Sequence, residues 1–258
     1  MPPVPGSPAS YRIGSVPYLN AVPLTYGIEA DVRLLPPAEL ATELHAGRLD
    51  TALVSVTEPL LHEGYQILDG LGIVSHGPVA SVFLAHRGPL ELVRTVFVDT
   101  ASCTSVNLLR VLLAERGLRP EFQPLTDYAE APQLDHVLLI GNPAIEFRRA
   151  AHTHQLWDLG AAWAELTALP FVYAVWAVRE GVEIGPLAEG LRAAAKRGIR
   201  AIPELVERRT EFDADFRRAY LGGHIRYELG AAEKAGLKRF AELLLKHTGQ
   251  AVFPPRYA

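Results

Sequence analysis

Short apolar strands alternate with helical segments through the first two thirds of this 258-residue chain. This alternation predicts an α/β architecture with largely parallel sheets. The segment 137–140 is apolar at every position, which is typical of a strand covered on both faces. From Leu187 onward the pattern is mostly helical, and we predict no further sheet there.

The strands fall into two groups, with an extended crossing in each direction between them. We therefore predict two α/β lobes joined by two hinge strands with a central cleft, one lobe formed by 11–86 and 178–258 and the other by 87–177. Residues 1–10 are rich in Pro, Gly and Ser and are predicted to be a disordered lead-in. A cleft between α/β lobes is a usual place for a small ligand.

Charge and composition argue against several classes of protein. The net charge of −4 gives no electrostatic basis for binding nucleic acid or an anionic membrane surface. No apolar run reaches transmembrane length, and the first residues do not resemble a secretory signal, so we expect a cytoplasmic protein. Cys103 is the single cysteine, and His152 and His154 have the wrong spacing for one helical face, so we expect no metal site.

The stretch 12–24 indicates a strand, a turn and the start of a helix. Asn20 is a preferred N-cap residue, and Pro23 is tolerated in a first helical turn. Such a junction directs free backbone N–H groups and a positive dipole end beyond the strand, which favours a carboxylate or a phosphate.

The second group of strands contains a similar junction. Ser102, Thr104 and Ser105 are all competent caps before an apolar helix, and a cap needs only one of them. Two interpretations are open, because the other hydroxyls either donate to a bound anion or satisfy their own backbone. A third junction places Gly141 at a strand end with Asn142 as the cap, and capping alone explains it.

These segments together resemble one family, the chorismate dehydratases of the futalosine route to menaquinone. The resemblance spans nearly the whole chain from Tyr11. Its motifs are GSVPYLN at 14–20, GRLDTALVS at 47–55, GPVAS at 77–81, SCTSV at 102–106, LLIGN at 138–142 and WAELTALPFVYAVWA at 163–177. The family more often has an Asp where this chain has Asn142 and a basic residue where it has Cys103. Because an amide does not act as a base, Asn142 lacks the potential catalytic base that an Asp would provide.

The resemblance implies a bilobed fold of the type II periplasmic-binding-protein class and a reaction. Chorismate would lose water to give 3-[(1-carboxyvinyl)oxy]benzoate, with aromatisation as the driving force and without a cofactor or a metal. The implied catalytic residues are Asn20, Ser81 and Glu58. The implied substrate-binding residues are Tyr18, Ser55, Ser102, Thr104, Ser105, Gly141, Asn142 and Trp163.

Three groups are candidates for the general base. Glu58 follows a strand, but a Glu in the first turn of a helix is also ordinary dipole complementarity. His76 is a titratable alternative. A third alternative is that one of the substrate's own carboxylates takes the proton. Tyr18 and Trp163 would pack the substrate ring, although such residues are more often simply core.

Two other functions compete with the dehydratase. One is the 1,4-dihydroxy-6-naphthoate synthase of the same pathway, which shares the bilobed fold but differs in the first turn. The other is a solute-binding protein that captures an anion without chemistry and would normally be exported. No basic helix-turn-helix is present for a DNA-bound sensor, and the sequence predicts no oligomeric state.

Overall fold

The computed structural model describes residues 11–99 and 103–258. The predicted lead-in 1–10 and the predicted binding residue Ser102 lie outside the described residues. The strands are β1 (Ile13–Ser15), β2 (Val32–Leu34), β3 (Thr51–Ser55), β4 (Tyr65–Ser75), β5 (Val82–His86), β6 (Thr95–Val98), β7 (Glu121–Pro124), β8 (His136–Ile140), β9 (Gln155–Asp158), β10 (Phe171–Arg179) and β11 (Arg226–Leu229).

The helices surround these strands. They are α1 (Pro37–His45), α2 (Thr57–Leu61), α3 (Cys103–Glu115), α4 (Gly141–Arg149), α5 (Leu159–Thr167), α6 (Ile184–Arg200), α7 (Ile202–Arg208), α8 (Ala214–Ala219) and α9 (Ala231–Thr248). A 3-10 helix spans Leu19–Leu24, and a single π-helical turn spans Tyr220–His224. Within the described part of the chain, no helix is long and apolar enough to cross a membrane.

The strands form two mixed sheets. The first has the order β11-β4-β10-β3-β1-β2, and the second has the order β7-β6-β8-β5-β9. The prediction of largely parallel sheets is wrong, because β10 runs antiparallel to both β3 and β4, and β5 runs antiparallel to both β8 and β9. Parallel pairs remain around β1 and β6, where a helix connects one strand to the next.

Two strands directly follow a crossing between the sheets. Of these, β5 belongs to the second sheet and β10 belongs to the first. The boundaries at 86 and 177 assigned β5 to the first group of strands and most of β10 to the second, and this assignment is wrong. The register from Val82↔Ile140 to His86↔His136 bonds β5 along its length within the second sheet. The chain therefore crosses before each strand, at 76–81 and 168–170. The remaining lobe limits stay a prediction.

The carboxyl-terminal part adds an edge strand as well as helices. We predicted no sheet beyond Leu187, but β11 pairs antiparallel with β4 at the edge of the first sheet. Its four residues alternate between exposed and buried, as a half-buried strand does. A stretch this short between helices carries too few residues for its alternation to stand out.

An aromatic cluster joins α5, β10 and α9. The ring of Trp163 meets those of Phe171 and Phe240 edge-on, with centroids 5.2 and 6.0 Å apart. Its indole Nε1 donates a hydrogen bond to the carbonyl of Pro170 at 3.0 Å. Trp163 is fully buried and absent from the cleft lining described below, so its predicted role in substrate binding is wrong. Its bulk instead fills the core behind the cleft.

Candidate active site

A cavity lies between the two sheets, where the ends of β1, β3, β5 and β8 meet the beginnings of α3 and α4. It contains about 620 Å³ of space free of atoms, part of it open to solvent. Seven residues singled out from the sequence line it: Tyr18, Asn20, Ser55, Ser81, Thr104, Ser105 and Gly141. Among the described residues of the lining, none has a charged side chain, and the polar groups are hydroxyls and one amide.

Asn20 reaches this cavity from inside a 3-10 helix and is not its cap. The helix begins at Leu19, and Tyr18 occupies the preceding position without a side-chain cap bond. The prediction that Asn20 caps a helix is therefore wrong, and the predicted anion site at this junction stays a prediction. The Asn20 amide instead hydrogen-bonds the phenol of Tyr220, and its Oδ1 has no partner among the described residues.

Tyr220 orients the hydroxyl group of Ser81. The buried Tyr220 phenol donates to Ser81 Oγ at 2.7 Å. Burial raises the pKa of Tyr220 to about 12, against the opposing effect of its bonds to Ser81 and Asn20, so the phenol keeps its proton at neutral pH. Since a serine hydroxyl both accepts and donates, Ser81 retains its own O–H to donate to a ligand in the cavity.

The backbone around Ser81 is fixed by a carboxylate from the other side of the crossing. Asp158 accepts hydrogen bonds from the amides of Val79 and Ala80, and also from Ala161 as the N-cap of α5. Ala80 has a φ of 65°, a left-handed conformation that these bonds hold in place. The amide of Gly141 then donates to the carbonyl of Ser81 at 2.8 Å. Ser81 is thus positioned before any ligand binds.

Thr104 and Ser105 face the cavity from the first turn of α3. Both side chains are almost fully buried. The amide of Thr57, at the start of α2, donates to Thr104 Oγ1 at 3.3 Å, and the two threonine hydroxyls are also 3.3 Å apart. Thr104 therefore ties α3 to α2, and like Ser81 it lines the cavity.

Two further phenols line the cavity. Burial, and then the charge of Asp99, raise the pKa of Tyr18. Tyr173 is held by Ser75 Oγ at 3.0 Å, and burial raises its pKa well above the ordinary value. Both are therefore neutral donors at physiological pH. The Tyr18 ring lies against Gly141, where a Cβ would be 3.5 Å from the ring and where φ is +59°, so glycine suits this position.

Three other predicted residues are not part of the described cavity lining. Glu58 is the second residue of α2, and its carboxylate shares a helix face with His62, not with the cavity lining. Its predicted catalytic role stays a prediction. Asn142 does not cap α4, because that helix begins at Gly141, and it does not line the cavity. The alternative base His76 bonds Glu233 on α9 at 2.7 Å.

Sequence reasoning missed Tyr220 and Asp158. Tyr220 is 139 residues from Ser81 along the chain, and Asp158 is 78 residues from Ala80. The π-helical turn that begins at Tyr220 is a structural signal of a functional site, since such turns are rare elsewhere. The sequence itself gives no comparable signal, because the tyrosine lies in a segment with an ordinary helical pattern.

Removing the Tyr220 phenol tests its influence on Ser81. We expect Tyr220→Phe to lower kcat about tenfold with little change in KM, since a lost hydrogen bond of about 1 kcal/mol leaves Ser81 free to rotate. Tyr227→Phe is the matched control, because the buried Tyr227 hydroxyl has no partner among the described residues. Steady-state kinetics on both variants measures the difference. Equal kcat values for the two variants would contradict the assigned role.

The fold and the cleft define a bilobed α/β protein of the type II periplasmic-binding-protein class, as predicted. The chain superposes on a protein from Archaeoglobus fulgidus with a TM-score of 0.71 at 16% identity, covering 93% of this chain and 97% of that one. It superposes on the alkanesulfonate-binding protein SsuA from Xanthomonas axonopodis pv. citri with a TM-score of 0.70 at 14% identity, covering 96% and 98%.

The sequence comparison identifies the family. Residues 11–246 match the family described as menaquinone biosynthesis, and the chain belongs to that family. A chorismate dehydratase from Thermus thermophilus is 34% identical, with 91% of this chain and 95% of that protein covered. The predicted resemblance to this family is therefore confirmed.

Proposed function

We propose that this protein is a chorismate dehydratase, which converts chorismate to 3-[(1-carboxyvinyl)oxy]benzoate and water. Its similarity to the Thermus thermophilus chorismate dehydratase supports this function. The observation that carries the proposal is the polar lining of the cleft. Asn20 and Ser81 form one polar group through Tyr220, and Thr104 and Ser105 form another at the start of α3. Two groups of neutral donors suit a substrate that has a carboxylate at each end.

The proposed reaction needs stabilisation of negative charge more than it needs a strong protein base. The ring carbon that bears the enolpyruvyl ether loses its proton, and the neighbouring carbon loses hydroxide. The proton and the hydroxide leave as water. Removal of the proton spreads charge onto the ring carboxylate, where the O–H of Ser81 and the other fixed donors bind more strongly as the charge grows.

We propose that one of the substrate's own carboxylates takes the proton. The described lining contains no carboxylate, imidazole or amine side chain, which supports this step. We expect Glu58→Gln and His76→Asn to keep turnover within about threefold of the parent, since a group outside the site contributes less than about 1 kcal/mol. Single-turnover kinetics with saturating chorismate measures the chemical step. Loss of turnover with intact binding in either variant would contradict the proposal.

Incubation with chorismate tests the activity directly. We expect a new aromatic absorbance in the ultraviolet and one equivalent of product for each chorismate consumed. Bound but unconverted chorismate would instead indicate a solute-binding protein. Conversion of the cyclised futalosine derivative, without conversion of chorismate, would indicate the 1,4-dihydroxy-6-naphthoate synthase. A cytoplasmic location is part of the proposal, as expected for an enzyme of small-molecule biosynthesis.

A further inference from the structure

Three potential metal ligands meet outside the cleft, at the ends of two helices. His45 is the last residue of α1, Glu58 lies in the first turn of α2, and His62 follows the end of α2. One ligand atom from each lies within 4.8 Å of the others. Glu58 Oε1 and His62 Nε2 are 3.9 Å apart, as the spacing of four residues on one helix face allows.

The Glu58 carboxylate is largely shielded from solvent and has few partners. Its side chain is only 11% exposed. Among the described residues, its one ion-pair partner is His62, and no hydrogen-bond donor contacts it. Burying a carboxylate without donors or a cation is costly. A divalent cation between the three side chains would supply the missing positive charge.

His45 is held in the way that metal-bound histidines commonly are. Its Nδ1 lies 3.3 Å from the hydroxyl of Tyr65, a buried residue on β4. With the proton on Nδ1, this bond leaves Nε2 free as a ligand and fixes the orientation of the ring. The ring of His62 approaches edge-on, with the two centroids 5.6 Å apart.

We propose that His45, Glu58 and His62 bind a divalent transition-metal ion of the zinc type. Two imidazoles and one carboxylate are a ligand set that zinc accepts, with water in the fourth position. In a tetrahedral zinc site the ligand atoms are about 3.3 Å apart, so the Glu58–His62 distance must shorten by about 0.6 Å and the other distances by at most about 1.5 Å. The side chain of His62 is 49% exposed and has the freedom to rotate.

This site is independent of the proposed reaction. None of its three residues lines the cleft. The ion would join the end of α1 to α2, the helix that begins two residues after Ser55 and whose Thr57 contacts Thr104. Its role is therefore a structural clamp on the wall of the cleft, and no step of the chemistry passes through it.

Calorimetric titration with zinc ions alone tests the site. Full-length protein treated with a chelator and then freed of it is expected to bind one zinc ion per chain. We expect His45→Gln, Glu58→Gln and His62→Gln each to weaken binding at least about tenfold, and Tyr65→Phe to weaken it about tenfold without changing the stoichiometry. Magnesium at the same concentration should not compete, since it prefers oxygen ligands.

His76→Gln is the matched control. His76 also lies beside a glutamate, Glu233, at 2.7 Å, but no third potential ligand joins this pair among the described residues. Zinc affinity should therefore stay within about twofold in this variant. Absence of binding in the parent protein would overturn the proposal, as would unchanged affinity in His45→Gln or His62→Gln. The three histidines are exposed, so their variants are expected to fold.

Discussion

Replacing Ser81 by alanine is expected to lower kcat for chorismate about 100- to 1000-fold, the usual cost of removing one fixed donor from a charge-stabilising site. Ser81 is the cavity residue whose hydroxyl and backbone are both held, by Tyr220 and by Gly141. Because the donor is aimed before the reaction starts, its loss affects the transition state more than the bound substrate. KM is therefore expected to change much less than kcat.

Ser15→Ala is the matched control for this experiment. Ser15 is a buried serine on β1 whose hydroxyl has no partner among the described residues and which does not line the cavity. Its replacement should leave kcat within about twofold, since no bond is lost. Melting curves of both variants separate misfolding from lost catalysis, because Ser81→Ala removes the acceptor of the buried Tyr220 O–H at a cost of about 1–3 kcal/mol. A rise in KM with unchanged kcat would contradict the role assigned to Ser81.

The polar lining of the cleft was predictable because its residues follow strands. Asn20, Thr104 and Gly141 each come just after a strand in the sequence, and strand ends meet where two lobes face each other. The family motifs indicated which of the many strand ends to choose. The local sequence around each strand end therefore predicts much of the polar cavity lining.

The residues that hold the cavity lining in position were not predictable in the same way. Asp158 acts on the Val79–Ala80 backbone from the far end of β9, and Tyr220 acts on Ser81 from the carboxyl-terminal helices. Such contacts depend on how the helices return to the first sheet, which a local pattern does not encode. The error at Trp163 has the same origin, since an aromatic side chain gives the same sequence signal in a core and in a binding site.

The sheets to which β5 and β10 belong were also predicted incorrectly. The apolar runs of β5 and β10 identified them as buried strands, but buried strands in either sheet have the same composition. Only the hydrogen-bond partners of β5 in the second sheet and of β10 in the first decide where the chain crosses. The two crossings are therefore defined by long-range pairing, which a single sequence does not specify.

Gly198→Ala is expected to destabilise the protein by about 1–3 kcal/mol or more and to disturb the cleft, because α6 packs directly on the 3-10 helix Leu19–Leu24 at this residue. A Cβ at Gly198 would clash with the carbonyl oxygen of Pro23. Backbone cannot yield as a side chain does, so either α6 or the 3-10 helix must move. Since Asn20 lies in that 3-10 helix, we expect KM to rise as well as Tm to fall.

Gly185→Ala on the same helix separates this clash from a general effect of alanine. A Cβ at Gly185 would meet nothing within 4 Å. Alanine is also the better helix former, so this variant should be neutral or more stable by up to about 1 kcal/mol. Thermal unfolding of the two variants should thus shift in opposite directions, by roughly 2–4 °C for each kcal/mol in a chain of this size. Equal Tm values would mean that α6 does not press on the segment that carries Asn20.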